Sequence, residues 1–98
     1  MNQKAIEHAL RAVGATVTDT SMVGGGFPDL SVGHFGQNFL FEVKNPDMSP
    51  SQRKLTPDEE HWHLTWRGQS CIIHTAEEAL VAIGAMKSNK NYKENRGR

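Results

Sequence analysis

The sequence predicts a small α/β domain whose elements follow the order α-β-β-β-α-β-α. Three observations predict it: an amphipathic helix pattern at the start, two β-prone runs joined by a short loop, and two later helix starts on either side of a third β-prone run. A chain of 98 residues builds one modest core, and a core of this size often gains stability from oligomerisation. We therefore expect one domain over residues 1–86, with a homodimer as a hypothesis.

Composition narrows the classes of function. Eleven Lys and Arg balance eleven Asp and Glu, so any contact with nucleic acid must come from local basic patches. The single cysteine, Cys71, excludes a disulfide within this chain, and no apolar run reaches the length of a membrane span or signal core. We expect a cytoplasmic protein.

The first segment has the pattern of an amphipathic helix. Its apolar residues recur at helical spacing and stop at Gly14, a suitable helix end. Glu7 lies beside this apolar stripe, where it could face a site or lie on a solvated flank. A short β-prone run at residues 16–18 follows as the first strand. The apolar residues of the helix are Ala5, Ile6, Ala9, Leu10 and Val13.

A glycine-rich turn leads into the second strand. The three glycines at residues 24–26 can take positive φ, and Pro28 fixes the entry to Asp29 and the β-prone run at residues 30–33. A phosphate-binding loop is the alternative, but no Lys-Ser or Lys-Thr follows and no helix starts here.

The next β-prone run, at residues 37–44, forms a hairpin with the second strand. The loop between them is short and contains Gly36, which is a hairpin signal. Folding about Phe35 places Asp29 opposite Glu42. Side chains alternate along a strand, so one face carries Phe39, Phe41 and Val43 toward the core and the other carries Leu40, Glu42 and Lys44.

Two carboxylates and an ammonium in this arrangement suit metal-assisted hydrolysis of a phosphodiester. Asp29 and Glu42 could hold a hard divalent cation such as Mg²⁺, which keeps several waters and binds a phosphate oxygen. Lys44 could orient or help deprotonate the attacking water, or neutralise charge on the phosphate. A bare Glu-x-Lys is more often a surface strand, so the specificity comes from the upstream Asp29.

These motifs resemble those of the PD-(D/E)xK nuclease superfamily, and more closely those of the small stand-alone phage-type VRR-NUC nucleases related to Holliday-junction resolvases. The resemblance runs from about residue 5 to residue 83. Its specific parts are Gly-Phe-Pro-Asp at residues 26–29 and Phe-Glu-Val-Lys at residues 41–44, with Leu-Thr-Pro at residues 55–57 and two tryptophan motifs near residues 62 and 66 less specific. It implies a restriction-endonuclease-like core with a central mixed β-sheet flanked by helices.

The resemblance also implies an activity and its residues. The protein would be a DNA endonuclease dependent on Mg²⁺ or Mn²⁺, possessing a preference for branched or junction DNA and acting in the host cytoplasm if it is phage-encoded. Asp29 and Glu42 would be metal ligands, the Val43 carbonyl a further ligand, and Lys44 the catalytic lysine.

Two supporting residues of the family have only approximate counterparts here. Family members often carry a glutamate in the N-terminal helix, and Glu7 is the only early glutamate. They often carry a glutamine in the helix after the lysine, where this chain has Glu59 or Glu60, while Gln52 lies nearby in sequence.

Residues 45–54 contain two prolines and almost nothing apolar, which predicts a mobile loop. Gln52, Arg53 and Lys54 lie at its end. Loops commonly carry binding residues, so these side chains could grip a phosphate backbone near the metal. Plain solubility is the alternative.

A helix start follows, with Thr56 as N-cap, Pro57 at the first position and Glu59 closing a capping box. Glu59 thus has a structural explanation. Trp62 and Trp66 lie one turn apart and should meet the core or a dimer partner. Two histidines two residues apart, at positions 61 and 63, do not share a helix face, which argues against zinc.

The remaining chain is predicted to complete the core. Residues 70–74 form the clearest buried strand, with Cys71 as a small core residue, and Thr75 with Glu78 repeats the capping-box pattern before a last helix. The tail at residues 87–98 carries five basic residues and one acidic, which predicts disorder. It could add salt-dependent affinity for nucleic acid or only solubility.

Two other classes of function stay open from the sequence. One is a non-catalytic nucleic-acid-binding module with the same fold, whose binding would survive a chelator and weaken with salt. The other is an assembly or adaptor protein, for which an exposed Trp62 or Trp66 within an apolar patch is the expected sign.

Overall fold

The computed structural model describes residues 2–87; residues 88–98, most of the predicted basic tail, lie outside this range. The observed order is the predicted one with a short helix added after the third strand. The elements are α1 (Asn2–Ala12), β1 (Thr16–Asp19), β2 (Leu30–His34), β3 (Gln37–Val43), α2 (Pro50–Arg53), α3 (Pro57–Thr65), β4 (Cys71–Ile73) and α4 (Ala76–Ala82).

The four strands form one mixed sheet in the order β1-β2-β3-β4. The first three strands pair antiparallel, and β4 pairs parallel to β3. A parallel pair needs a crossover connection, and α2 and α3 lie in it. Helices α1 and α4 contact each other. The prediction of a central mixed sheet flanked by helices is therefore confirmed.

One apolar core lies between the sheet and these helices. Phe41 of β3 is fully buried, and Phe39 and Val43 pack against the core, which confirms the predicted inner face of β3. The buried core residues are Ile6, Leu10, Ala15, Leu30, Val32, Phe41, Ile73, Ala79 and Ile83.

The hairpin of β2 and β3 has the predicted register. His34 pairs with Gln37, so Phe35 and Gly36 form the turn with φ of 49° and 76°. Positive φ at both central residues suits the twist of a two-residue hairpin. Leu30 pairs with Phe41, and this pairing sets the preceding and following carboxylates, Asp29 and Glu42, side by side.

Three local predictions need correction. The strand predicted to be buried over residues 70–74 covers only Cys71–Ile73, and Ile72 in its middle is 38% exposed. Residues 45–54 are not all loop, because Ser49 and Gln52 form a capping box that starts α2, with Pro50 in its first turn. At the start of α4 only half of the predicted box forms: Thr75 accepts from the Glu78 N–H, but the Glu78 carboxylate accepts from the N–H of His74. None of the helices within residues 2–87 has the length and apolar content that crossing a membrane requires.

Candidate active site

The Asp29 segment is fixed by hydrogen bonds from Thr20, which follows β1, and from Val43 of β3. Thr20 donates from its N–H to the Asp29 carbonyl and from its hydroxyl to the Pro28 carbonyl, both over 2.8 Å. The Asp29 carboxylate accepts from the Val43 N–H through Oδ2, at 2.9 Å. One carboxylate oxygen is thus held at the end of β3, beside Glu42.

The glycine turn before Asp29 is packed against the start of α3. Gly26 has φ of 86°, and a Cβ at this position would collide with the backbone of Asp58, within 2.6 Å of its carbonyl carbon. Only glycine allows this approach. The turn therefore holds the Asp29 segment and helix α3 in one arrangement.

Lys44 lies between two carboxylates at the mouth of this arrangement. Its Nζ is 2.9 Å from Oε1 of Glu59 and 3.6 Å from Oε2 of Glu42. The same Glu59 oxygen accepts from the Thr56 N–H at 2.9 Å. Glu59 therefore closes the predicted capping box and also fixes the ammonium of Lys44.

The Glu42 carboxyl is the most perturbed group of the cluster. Its residue is only 2% exposed, and Oε1 has no hydrogen-bond partner. Burial first, and then the charge of Asp29, raise the pKa of Glu42 to about 9, against the opposing charge of Lys44. A buried carboxyl oxygen without a partner is unusual, and a bound cation would satisfy it.

Lys44 and Glu59 stabilise each other's charged forms. Burial alone would lower the pKa of Lys44, but the hydrogen bond and charge of Glu59, with the charges of Glu42 and Asp29, outweigh it and raise that pKa. Burial likewise opposes ionisation of Glu59, yet hydrogen bonds from Lys44 and from the Thr56 N–H lower the pKa of Glu59. Ammonium and carboxylate therefore form an ion pair at neutral pH.

The oxygen donors of this cluster fit a hard divalent cation. Asp29 and Glu42 supply carboxylates, and the Val43 carbonyl is adjacent in sequence to Glu42. Within residues 2–87, no three or more His, Cys, Asp and Glu side chains are grouped to hold a metal, so ligation would rest on two carboxylates. Mg²⁺ is commonly bound in this way, through one or two carboxylates with several waters retained.

Glu7 is not brought into the cluster. It is buried, which corrects the solvated-flank alternative, and it accepts from Gln3 at 3.1 Å and from Arg11 at 3.3 Å on its own helix. Arg11 also donates to the Val17 carbonyl. These contacts join α1 to β1 and explain the buried carboxylate structurally.

The predicted nucleic-acid-binding residues lie on and after α2. Gln52 is exposed, and its Oε1 accepts from the Ser49 N–H and hydroxyl as a cap. Arg53 is half-buried, with its Nε buried and unpartnered, and Lys54 is exposed. No hydrogen bond or ion pair within the described chain joins these three to Asp29, Glu42 or Lys44, and their contact with DNA stays a prediction.

A second feature near the site is an aromatic cluster. Trp62 and Trp66 stack with ring centroids 4.5 Å apart, and Phe27 contacts both rings edge-on at 5.5 and 6.4 Å. The prediction that these rings meet the core is wrong for Trp66, which is 42% exposed, and contact with a dimer partner stays a prediction. Phe27, whose place in the Gly-Phe-Pro-Asp motif is explained by this packing, was not singled out from the sequence.

A separate groove lies away from the clustered carboxylates. It measures about 650 Å³, runs along β4 and α4, and its lining includes Cys71, Ile72, Glu78 and Val81 but none of the clustered carboxylates. Cys71 packs against the core, as predicted, and burial raises the pKa of its thiol. The groove has no link to the proposed chemistry.

Comparison with known proteins supports the fold. Neither a protein-family model nor a curated protein matches the sequence. A solved structure described as "VRR_NUC domain" matches with a TM-score of 0.59 over 82% of this chain and 89% of that chain, at 24% sequence identity. Identity at this level shows the fold alone. The chain therefore has the fold of a VRR_NUC domain.

Proposed function

We propose that this chain is a divalent-metal-dependent endonuclease of the PD-(D/E)xK type that hydrolyses DNA phosphodiester bonds. The observation that carries the proposal is the buried Glu42 carboxyl, whose Oε1 lacks a partner beside Asp29 and Lys44. Burying a carboxyl oxygen without a hydrogen-bond partner costs free energy, which a purely structural role does not explain. The likeness to a VRR_NUC domain supports the same activity.

Each clustered residue has a separate role in this proposal. Asp29, Glu42 and the Val43 carbonyl would hold Mg²⁺ or Mn²⁺. When bound, the cation supplies Lewis-acid polarisation of the phosphate and favours ionisation of a water nucleophile. The Val43 N–H, by donating to Oδ2 of Asp29, keeps that carboxylate oriented toward Glu42.

Lys44 neutralises the charge that develops on the phosphate. Its ion pair with Glu59 favours the ammonium form, which suits electrostatic stabilisation better than proton removal. Glu59 holds the ammonium in place from α3, about where the resemblance implies a glutamine. Branched or junction DNA is the substrate favoured by the resemblance.

Cleavage of labelled single-stranded, duplex and four-way-junction DNA in Mg²⁺ or Mn²⁺ tests the proposal. Cutting should disappear in chelator and in Asp29→Ala and Lys44→Ala. Asp47→Ala, which removes an exposed carboxylate of the neighbouring loop, is the matched control and should cut normally. Failure of the folded protein to cut any of these substrates would refute the proposal.

A non-catalytic nucleic-acid-binding module is the second candidate. The observation that favours it is the engagement of Lys44 by Glu59 at 2.9 Å, which leaves the ammonium paired rather than free for a phosphate. This candidate requires DNA binding that persists in chelator, without turnover in any metal.

A further inference from the structure

Trp66, the C-cap residue of α3, has an indole ring that is held by its neighbours but partly exposed. One face of the Trp66 indole is covered by Trp62, with 18° between the rings, so the exposed surface of Trp66 lies on its outer face and edges. Its Nε1 donates to the Gln69 carbonyl at 3.1 Å. A Cβ on Gly68 would lie 2.9 Å from the same nitrogen, so the loop passes close to the indole edge. An aromatic ring fixed in this way loses little entropy when a partner stacks on it.

The ring lies near the proposed site of hydrolysis. Glu59, Trp62 and Trp66 recur at positions i, i+3 and i+7, which places them along one side of α3. Seven residues of helix span about 10 Å, which is about three base steps at 3.4 Å each. Phe27, which contacts both indoles, is two residues from Asp29.

The surroundings of the ring suit a nucleic-acid base better than a protein surface. Arg67, Gly68 and Gln69, which follow the ring, are all exposed, so a flat aromatic face is bordered by polar groups and one cation. A stable protein interface needs about 800 Å² per partner, far more than one indole face offers. Bases stack on aromatic side chains whatever their identity, and an arginine alongside can meet the phosphate.

We propose that Trp66 is a stacking platform for an unpaired base about three nucleotide steps from the scissile phosphate, and that the substrate class is DNA with unpaired nucleotides. Bases within a duplex are stacked on both sides, so only an unpaired base can extend the Trp62–Trp66 stack. The position relative to a scissile phosphate rests on the proposed function. Stacking itself does not, and it can be measured without cutting.

Binding is measured on Asp29→Ala protein in chelator, which removes turnover. The probes are a short oligothymidine, an abasic oligomer of equal length and charge, and a duplex. Trp66→Leu keeps an apolar side chain without a π face, Trp66→Phe keeps a smaller ring, and Leu64→Ala removes an exposed residue of the same helix that is not in the stack. Circular dichroism confirms folding of each variant.

Oligothymidine should bind more tightly than the abasic oligomer and should quench the fluorescence of the two tryptophans. Trp66→Leu should weaken oligothymidine binding at least about fivefold and remove the preference over the abasic oligomer. Trp66→Phe should keep most of that preference, and Leu64→Ala should match the parent. Duplex binding should be unaffected by Trp66→Leu.

Three outcomes would overturn the inference: no preference for bases over abasic sugars, an equal loss of duplex and single-strand binding in Trp66→Leu, or a self-association of the protein that Trp66→Leu abolishes. The last outcome would make Trp66 part of an interface between two copies of the chain.

Cleavage by the protein with Asp29 intact is measured separately. Metal-dependent cutting without base stacking refutes this inference alone, and stacking without cutting refutes the proposed nuclease and leaves a base-binding module.

Discussion

Helices α3 and α4 begin with the same pattern, a threonine followed three residues later by a glutamate. Thr56 and Thr75 each accept a hydrogen bond from the backbone N–H of that glutamate, at 3.2 and 3.0 Å. The glutamate side chains differ. The Glu59 carboxylate accepts hydrogen bonds from the Thr56 N–H and from the Lys44 ammonium. The Glu78 carboxylate instead accepts from the N–H of His74 and lies 3.1 Å from the His74 imidazole.

The difference comes from what each helix start is packed against. Gly26 and the turn that leads to Asp29 pack on the first turn of α3, and Glu59 faces the buried Glu42 across Lys44. Glu78 has half of its side chain exposed, where an ion pair contributes little. The same local motif is thus a cap in both places and part of a charged site in only one. Three comparisons between the two helix starts, and one measurement on Glu42, test this.

The largest effect is expected from the glycine that lets the turn approach α3. Gly26→Ala should lower the free energy of unfolding by about 2–4 kcal/mol, because the new Cβ meets the Asp58 backbone and takes an unfavourable φ. Gly84, after α4, has a similar φ of 84° but no atom within 4 Å of a Cβ. Gly84→Ala should cost only about 1 kcal/mol. Urea denaturation compares them, and equal losses would mean that the Gly26 contact relaxes at no cost.

The second comparison is between the two glutamates. Glu59→Ala should lower DNA cleavage at least about tenfold, because Lys44 loses the partner that positions it. Glu59→Gln keeps a carbonyl oxygen for Lys44 and for the Thr56 N–H, so most activity should return. Glu78→Ala should leave cleavage unchanged. The measurement is the initial rate of DNA cleavage in Mg²⁺ at one pH. An equal loss of rate in Glu59→Ala and Glu78→Ala would mean that the two glutamates do not differ in function.

The third prediction concerns Glu42 in chelator. The pKa of Glu42 is about 9 in the fold against 4.5 for an ordinary glutamate, so the folded protein binds more protons than the unfolded chain between these pH values. The free energy of unfolding that Glu42 contributes is fully present below pH 4.5 and is lost as the pH rises toward 9, by at most about 1.4 kcal/mol per pH unit. Glu42→Gln should flatten this dependence.

Thermal unfolding at several pH values, with and without Mg²⁺, measures the Glu42 effect. Mg²⁺ should restore the stability of the unmodified protein near pH 8 and leave Glu42→Gln unchanged, because the cation then has only one carboxylate. Glu77→Gln, an exposed carboxylate of α4, is the control. Identical pH profiles for the unmodified protein and Glu42→Gln would show that Glu42 is not perturbed by its surroundings.

Most of the fold could be predicted because its signals are local. The spacing of apolar residues in α1, the hairpin loop at Phe35 and Gly36, and the cap at Thr56 each determine a structure within a few residues. The sequence does not predict helix α2, because prolines at residues 46 and 50 usually interrupt helices, although Pro50 lies in the first turn, where a missing N–H costs nothing.

The sequence predicts only the part of the site that strand pairing and side-chain alternation determine. Pairing of β2 with β3 places Asp29 beside Glu42, and alternation places Lys44 on the same face as Glu42. The contact of Lys44 with Glu59 joins residues fifteen apart through the packing of the glycine turn on α3, and no local pattern carries that information. The capping box alone accounts for a glutamate at position 59, so the sequence gives no sign of its contact with Lys44.

The smallest expected effect separates the two N-caps. Thr56→Ala and Thr75→Ala should each lower the free energy of unfolding by about 1 kcal/mol, since each removes an acceptor for one N–H of a helix start. Only Thr56→Ala should also slow DNA cleavage, because the Glu59 side chain is oriented by the box that Thr56 forms and holds Lys44 from there. Urea unfolding and initial rates on the same preparations give both quantities. A loss of activity in Thr75→Ala that matches Thr56→Ala would mean that cleavage follows global stability, and the two helix starts would then differ in sequence surroundings but not in function.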